Sequence, residues 1–222
     1  MDVLQTILKW ITKSVAAGFM ICIAAIVYLR SSNPVIGAAL FSFGLLTILI
    51  WHMGLFTGII GYFAEQRTWS GILKHSGICL LVWIGNFLGC AFLAHIYKGT
   101  SQWVSIQQKA DALVSMKCQS SIVSLIYLGV LCGVLMFLAV HTWKQYKLSP
   151  ISRVCMVLLP VMVFILSGFE HSIADMAYVM LSTTTNFFYP LVMLTFVSIG
   201  NIIGGVAACG VINFIAKENA KC

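Results

Sequence analysis

Three ionisable side chains, Glu170, His171 and Asp175, fall within six residues of a long apolar stretch. A charge at mid-membrane costs about 2.5–3.5 kcal/mol even on the lenient insertion scale, so these groups need partners or a polar lining. Imidazole is the side chain best suited to exchange a proton near neutral pH. A histidine between carboxylates in such a stretch therefore suits a proton-exchange step on a small acid or the guidance of an ion. The segment just before it, Ser167-Gly-Phe-Glu-His171, contains a glycine, and glycine accepts backbone angles other residues avoid. A second break, Gly54-Leu-Phe-Thr-Gly58, brings a hydroxyl, Thr57, into another apolar stretch. Unwound backbone at membrane depth is tolerated only where protein buries it or where it lines a cavity.

The elements that must hold these groups are membrane spans. The chain of 222 residues is 60% hydrophobic and 9% charged, with a mean hydropathy of +0.99. Soluble domains carry roughly 25% charged residues. Thirteen basic and six acidic side chains cannot give a protein of this size a polar skin. A soluble enzyme, a disordered chain and a nucleic-acid binder are thereby excluded. The net charge of +7 is scattered between apolar runs, as in membrane loops.

A helix needs about 20 apolar residues to cross a bilayer. Six runs qualify: Ser14–Leu29, Val35–Phe63, Ser76–Ile96, Ser121–His141, Val154–Leu181 and Phe187–Ala216. Lys9, Lys13, Arg67, Lys74, Lys144, Lys147, Arg153, Lys217 and Lys221 then share one side, against Arg30, Lys98, Lys109 and Lys117 on the other. The positive-inside rule places both termini in the cytoplasm. The connection Tyr97–Ser120 is the longest outer loop, with a short helix predicted over Ser105–Lys117. No cleavage site follows the first run, which reads as a retained span.

The second and fifth runs are too long for one straight crossing and too short for two, and each carries one of the breaks. A Gly-Asn motif follows each: Gly85-Asn-Phe-Leu-Gly89 and Gly200-Asn-Ile-Ile-Gly204, with Phe56 to Asn86 spanning 30 residues and Phe169 to Asn201 spanning 32. Both have the G-x-x-x-G spacing that lets helix backbones approach closely. Residues 1–97 and 118–222 therefore read as two copies of a three-span unit within one 1–222 transmembrane domain. Three is odd, so the copies insert in opposite senses, an architecture of transporters and channels. Glycine-rich first and sixth spans offer packing faces for self-assembly. The cysteines read as buried, inert thiols: Cys22, Cys79, Cys90, Cys132, Cys155 and Cys209 sit in apolar runs, and Cys118 has no neighbour to pair with. There is no C-x-x-C, so no metal site is expected.

The segment Ser167-Gly-Phe-Glu-His-Ser-Ile-Ala-Asp-Met176 resembles the signature of the formate/nitrite transporter family, SGFEHSIANM. Gly54-Leu-Phe-Thr-Gly58 resembles that family's second-helix loop, and Gly200-Asn-Ile-Ile-Gly-Gly205 its final-helix motif. The resemblance spans essentially the whole chain. It implies an all-α, aquaporin-like protomer in a homopentamer of the cell inner membrane. Each protomer would conduct a small monovalent anion such as formate, nitrite or hydrosulfide, with no cofactor and no enzymatic step.

By the same resemblance His171 is the central histidine, Thr57 its hydrogen-bonding partner and Asn201 the final-helix amide that orients the ring. Lys117 is the outer-vestibule lysine, beside Glu170. Phe41, Leu45, Leu55, Phe56 and Phe164 form the apolar slits. Three positions depart from the pattern: Ile59, Asp175 and Gly133 stand where asparagine is usual. Asp175 adds a carboxylate to the vestibule and Gly133 removes an amide.

A bare anion loses its water in an apolar slit at high cost. Crossing as the neutral acid avoids that, at about 4 kcal/mol for an acid of pKa about 4 at pH 7 and almost nothing for hydrosulfide. Nitrite, the stronger acid, is penalised most. Proton-coupled carriage of acetate or lactate and, distantly, a haem-binding redox subunit using His52 and His171 are the alternatives.

Overall fold

A computed structural model describes residues 3–145 and 148–219; Lys147, Lys221 and Cys222 lie outside the described residues. Among the described residues four helices are long and apolar enough to span a membrane: α1 (Val3–Arg30), α3 (Trp69–Lys98), α5 (Ile122–Gln145) and α8 (Phe188–Asn219). Three are shorter: α2 (Pro34–Ile50), α6 (Pro150–Leu166) and α7 (Ser172–Leu181). The remaining helix, α4 (Val104–Cys118), is the one predicted for the outer loop. Their outward faces are apolar, with Leu80, Leu88, Phe92, Leu131, Ile203 and Phe214 all exposed. A surface of that kind requires lipid rather than water.

Local sequence starts and stops the shorter helices. Asn33 caps α2 by accepting from the Val35 and Ile36 amides, with Pro34 at the first helical position. Ser149 caps α6 in the same way, ahead of Pro150. The second and fifth runs are broken where expected, but differently. After α6 the chain turns through Gly168 (φ +68°) and resumes as α7. After α2 it turns through His52 (φ +51°) and continues as two short 3-10 turns, Phe56–Gly58 and Ile60–Glu65, rather than a second α-helix. A Cβ at Gly61 would press on the Phe137 ring and the Gly205 carbonyl, so this turn lies flush against α5 and α8.

The most extensive helix contacts are α1 with α3 and α5 with α8. Both are backbone-on-backbone. A Cβ at Gly89 would strike the Val15 carbonyl, and one at Gly204 the Val130 carbonyl. One at Gly18 would strike the Asn86 carbonyl, and one at Gly133 the Asn201 carbonyl. Of the first and sixth spans, Gly18 and Gly204 are thus used inside the protomer, whereas a Cβ at Gly210 would meet nothing within 4 Å. Gly133 is likewise a packing position matched by Gly18, with no room for the amide whose loss the family pattern suggested.

Of the cysteines, Cys22, Cys79, Cys90, Cys132 and Cys209 are buried, and Cys118 is half-buried. Cys155 departs from expectation: it is exposed, because it falls on the outward face of α6.

The candidate permeation site

Each break is held by one buried asparagine. Asn86 on α3 donates to the carbonyls of Ser14 (2.8 Å) and Gly54 (2.8 Å) and accepts from the Phe56 amide (3.0 Å). Asn201 on α8 donates to Gly129 (2.9 Å) and Glu170 (2.8 Å) and accepts from the Ser172 amide (3.0 Å). A further pair matches: the Gly54 amide donates to Lys13 and the Glu170 amide to Leu128. These bonds satisfy the backbone groups that leaving the helix sets free. They also set the register between the breaks. Gly54 is equivalent to Glu170 and Phe56 to Ser172, three residues from the pairing of Phe56 with Phe169 read off the motifs. Asn86 was visible in the Gly-Asn motif, yet its part in the site was missed.

His171 is 1% exposed and stands at the cap of α7. Its Nδ1 accepts from the Ala174 amide (3.0 Å) and its Nε2 lies 2.8 Å from Thr57 Oγ1. An Nδ1 that accepts from a backbone N–H carries no proton, so the ring is the neutral tautomer with its proton on Nε2, donated to Thr57. Both ring nitrogens are engaged, which leaves neither free for a haem iron. Asn201 orients the backbone on either side of His171, not the ring as expected. Ala174 and Thr57 hold the ring itself.

Apolar rings close the space around this pair. Phe164 stacks on His171 with centroids 5.4 Å apart, and Phe41 meets Phe164 edge-on at 6.0 Å. Leu45, Leu55 and Phe56 are buried with them. Beside Leu55 and Gly58 lies a cavity of about 230 Å³, lined also by Trp10, Lys13, His52, Trp143 and Lys144. Sequence reasoning missed this cationic chamber, because its lining comes from three distant segments.

On the opposite side, α4 covers the start of α7. Lys117 is buried, and its ammonium contacts both Glu170 and, at 3.0 Å, Asp175 Oδ1. It is not a free cation at an open mouth. Three other basic residues grouped with it are each hydrogen-bonded: Arg30 reaches Gln102 and Ser105, Lys109 the Ser31 carbonyl, and Lys98 the Ser182 carbonyl.

Spanning helices, two interrupted apolar runs and a buried polar pair between them define a multi-pass membrane protein of the channel and transporter class. The model of the family described as "Formate/nitrite transporter" matches residues 2–215. The chain belongs to that family. The "Formate channel FocA" of Escherichia coli (strain K12) is 26% identical, covering 96% of this chain and 88% of FocA. The "Nitrite transporter NirC" of Escherichia coli (strain K12) is 26% identical, covering 86% of this chain and 74% of NirC. A solved "Pentameric formate channel with formate bound" superposes with a TM-score of 0.82 at 24% identity, covering 97% of this chain and 99% of its own. An "FNT family ion channel" superposes with a TM-score of 0.82 at 23% identity. These likenesses establish the fold.

Proposed function

We propose that this protein conducts a small monovalent anion, formate, hydrosulfide or nitrite, in step with its weak-acid form. The route runs from the Lys117 side, past Phe41 and Phe164, across Thr57 and His171, and past Leu55 into the Lys13–Lys144 chamber. The observation that carries this reading is the Thr57–His171 hydrogen bond, a buried polar pair among apolar side chains where the two breaks meet. The names and fold of the relatives support the anion.

The proposed chemistry is modest. His171 donates to Thr57 through Nε2, so the Thr57 hydroxyl hydrogen is free to face a permeant oxygen or sulfur. The Ser172 hydroxyl is buried without a hydrogen-bond partner among the described residues and adds a second donor close by. Neither donor matches bulk water for a bare anion, so a proton gained on the way lowers the cost of the slits. A weakly acidic substrate is favoured over a strongly acidic one.

The two matched sets of asparagine bonds support a six-span inverted repeat, with residues 1–97 and 118–222 as its halves. The clustering of Arg30, Lys98, Lys109 and Lys117 supports an outer side opposite the more numerous basic residues, and hence cytoplasmic termini in the cell membrane. By likeness to the solved formate channel the protomers assemble as a homopentamer.

Purified protein in liposomes, challenged with formate, nitrite, acetate and hydrosulfide in competition, tests the reading. Saturable or competable flux of at least one of these over empty liposomes is expected. Liposomes no more permeable than empty ones would overturn it.

A further inference from the structure

Lys117, Glu170 and Asp175 form a buried triad with an unbalanced charge. The Lys117 and Glu170 side chains are 8% and 5% exposed and that of Asp175 1%. One ammonium therefore serves two carboxyl groups. The second oxygen of Asp175, Oδ2, is buried with no hydrogen-bond partner among the described residues. An ionised carboxylate accepts several hydrogen bonds and is costly to bury with an oxygen bare.

Among the described residues no neighbour supplies a second cation. Tyr178, on the same helix, lies with its ring 6.0 Å from the Lys117 ammonium, and Tyr28 of α1 lies 6.3 Å beyond it, ring to ring. Cys118 of α4 and Cys132 of α5 bring thiols within electrostatic reach of Asp175. Cys90 of α3 reaches the Ile173 carbonyl. From α8 comes Asn201, an amide, and His171 is held as a neutral ring. With both carboxyls ionised the triad carries a net charge of −1. Two carboxylates in one buried site resist joint ionisation.

We propose that Asp175 is a proton-carrying residue: the triad binds one dissociable proton, held on the unpartnered oxygen of Asp175. Protonated, the triad is neutral and leaves an approaching anion unopposed. Deprotonated, it is an anion itself and repels one. Resting on the transport reading above, this makes Asp175 a determinant of when an anion enters from the Lys117 side.

Infrared spectroscopy of the purified protein in lipid tests the proton directly, with no flux required, so the outcome is independent of the transport reading. The wild type is expected to show a protonated-carboxyl stretching band at neutral pH that disappears on alkaline titration. Asp175→Asn should lose that band. Should the asparagine variant fail to assemble, Glu170→Gln carries the same test: a single carboxylate left with Lys117 ionises, and the band is lost there too. A wild type without the band at neutral pH, or a band that persists in either variant, overturns the proposal.

Discussion

Asn86 and Asn201 occupy equivalent places in the two halves of the chain, each bonding a carbonyl 72 residues earlier in sequence and both backbone edges of its own break. Their work is to replace the helical hydrogen bonds the breaks forgo, in a setting with no water to do so.

Removing either amide therefore leaves an N–H and a C=O of the break unpaired and takes a second bond from a helical carbonyl. At about 1–3 kcal/mol for each buried group, Asn86→Ala and Asn201→Ala are expected to destabilise the protein by several kcal/mol. Thermal unfolding in detergent, followed by the loss of the intact peak on gel filtration, measures this. A melting temperature within a degree or two of wild type would show that the breaks are held by something else.

Six apolar runs and two breaks were legible in the sequence, because hydropathy and misplaced polar residues report them directly, whereas the pairing of Thr57 with His171 came from the family resemblance. The register between the breaks was not. Phe56 and Phe169 look alike as letters, whereas equivalence is set by which amide meets Asn86 or Asn201. The 3-10 turn after Thr57, Ile60–Glu65, was hidden for a similar reason: it packs with Gly61 pressed onto Phe137, a contact between distant segments. Gly133 read as a missing amide until its neighbour, the Asn201 backbone, was in place. Lys117 beside Glu170, with Asp175 as an added carboxylate, was implied by the resemblance; that one ammonium bridges both carboxyls was not legible, because Asp175 lies 58 positions from Lys117.

The packing glycines give a prediction with its own control. Gly89→Ala and Gly204→Ala each push a methyl into a carbonyl of the facing helix, whereas nothing lies within 4 Å of a Cβ at Gly77 or Gly210. The first two are expected to lower yield and melting temperature sharply, since overpacking costs about 1–3 kcal/mol or more. Gly77→Ala and Gly210→Ala should be neutral or slightly stabilising, as alanine favours helix. Four equal melting temperatures would contradict the packing described.

Lys117→Met strips the cation from two buried carboxyls. Breaking a buried ion pair from one side costs about 3–5 kcal/mol, so this variant should be markedly less stable than wild type. Adding Asp175→Asn removes one of the stranded acids, and the double variant should recover part of the loss. Equal stability of single and double variants, measured by the same melting assay, would mean that Lys117 and Asp175 do not interact.

The sharpest test falls on His171, whose cap and proton roles separate in one substitution. Asparagine is a good helix N-cap and keeps a carbonyl oxygen to accept from the Ala174 amide in place of Nδ1. It cannot titrate, so His171→Asn should fold and assemble while losing any proton exchange at Nε2. The sign of the effect on weak-acid flux follows. At fixed total formate the neutral acid in bulk water falls tenfold for each pH unit above its pKa. A channel that merely passes that acid must slow by the same factor. A channel that takes up the anion and protonates it near the Thr57–His171 pair follows the anion concentration instead, and its flux declines more gently with pH. Wild-type flux in liposomes is expected to show the gentler slope and His171→Asn the tenfold one, or no flux at all. An assembled variant with the wild-type slope would leave His171 a helix cap and nothing more, and the proton-linked route would have to be abandoned.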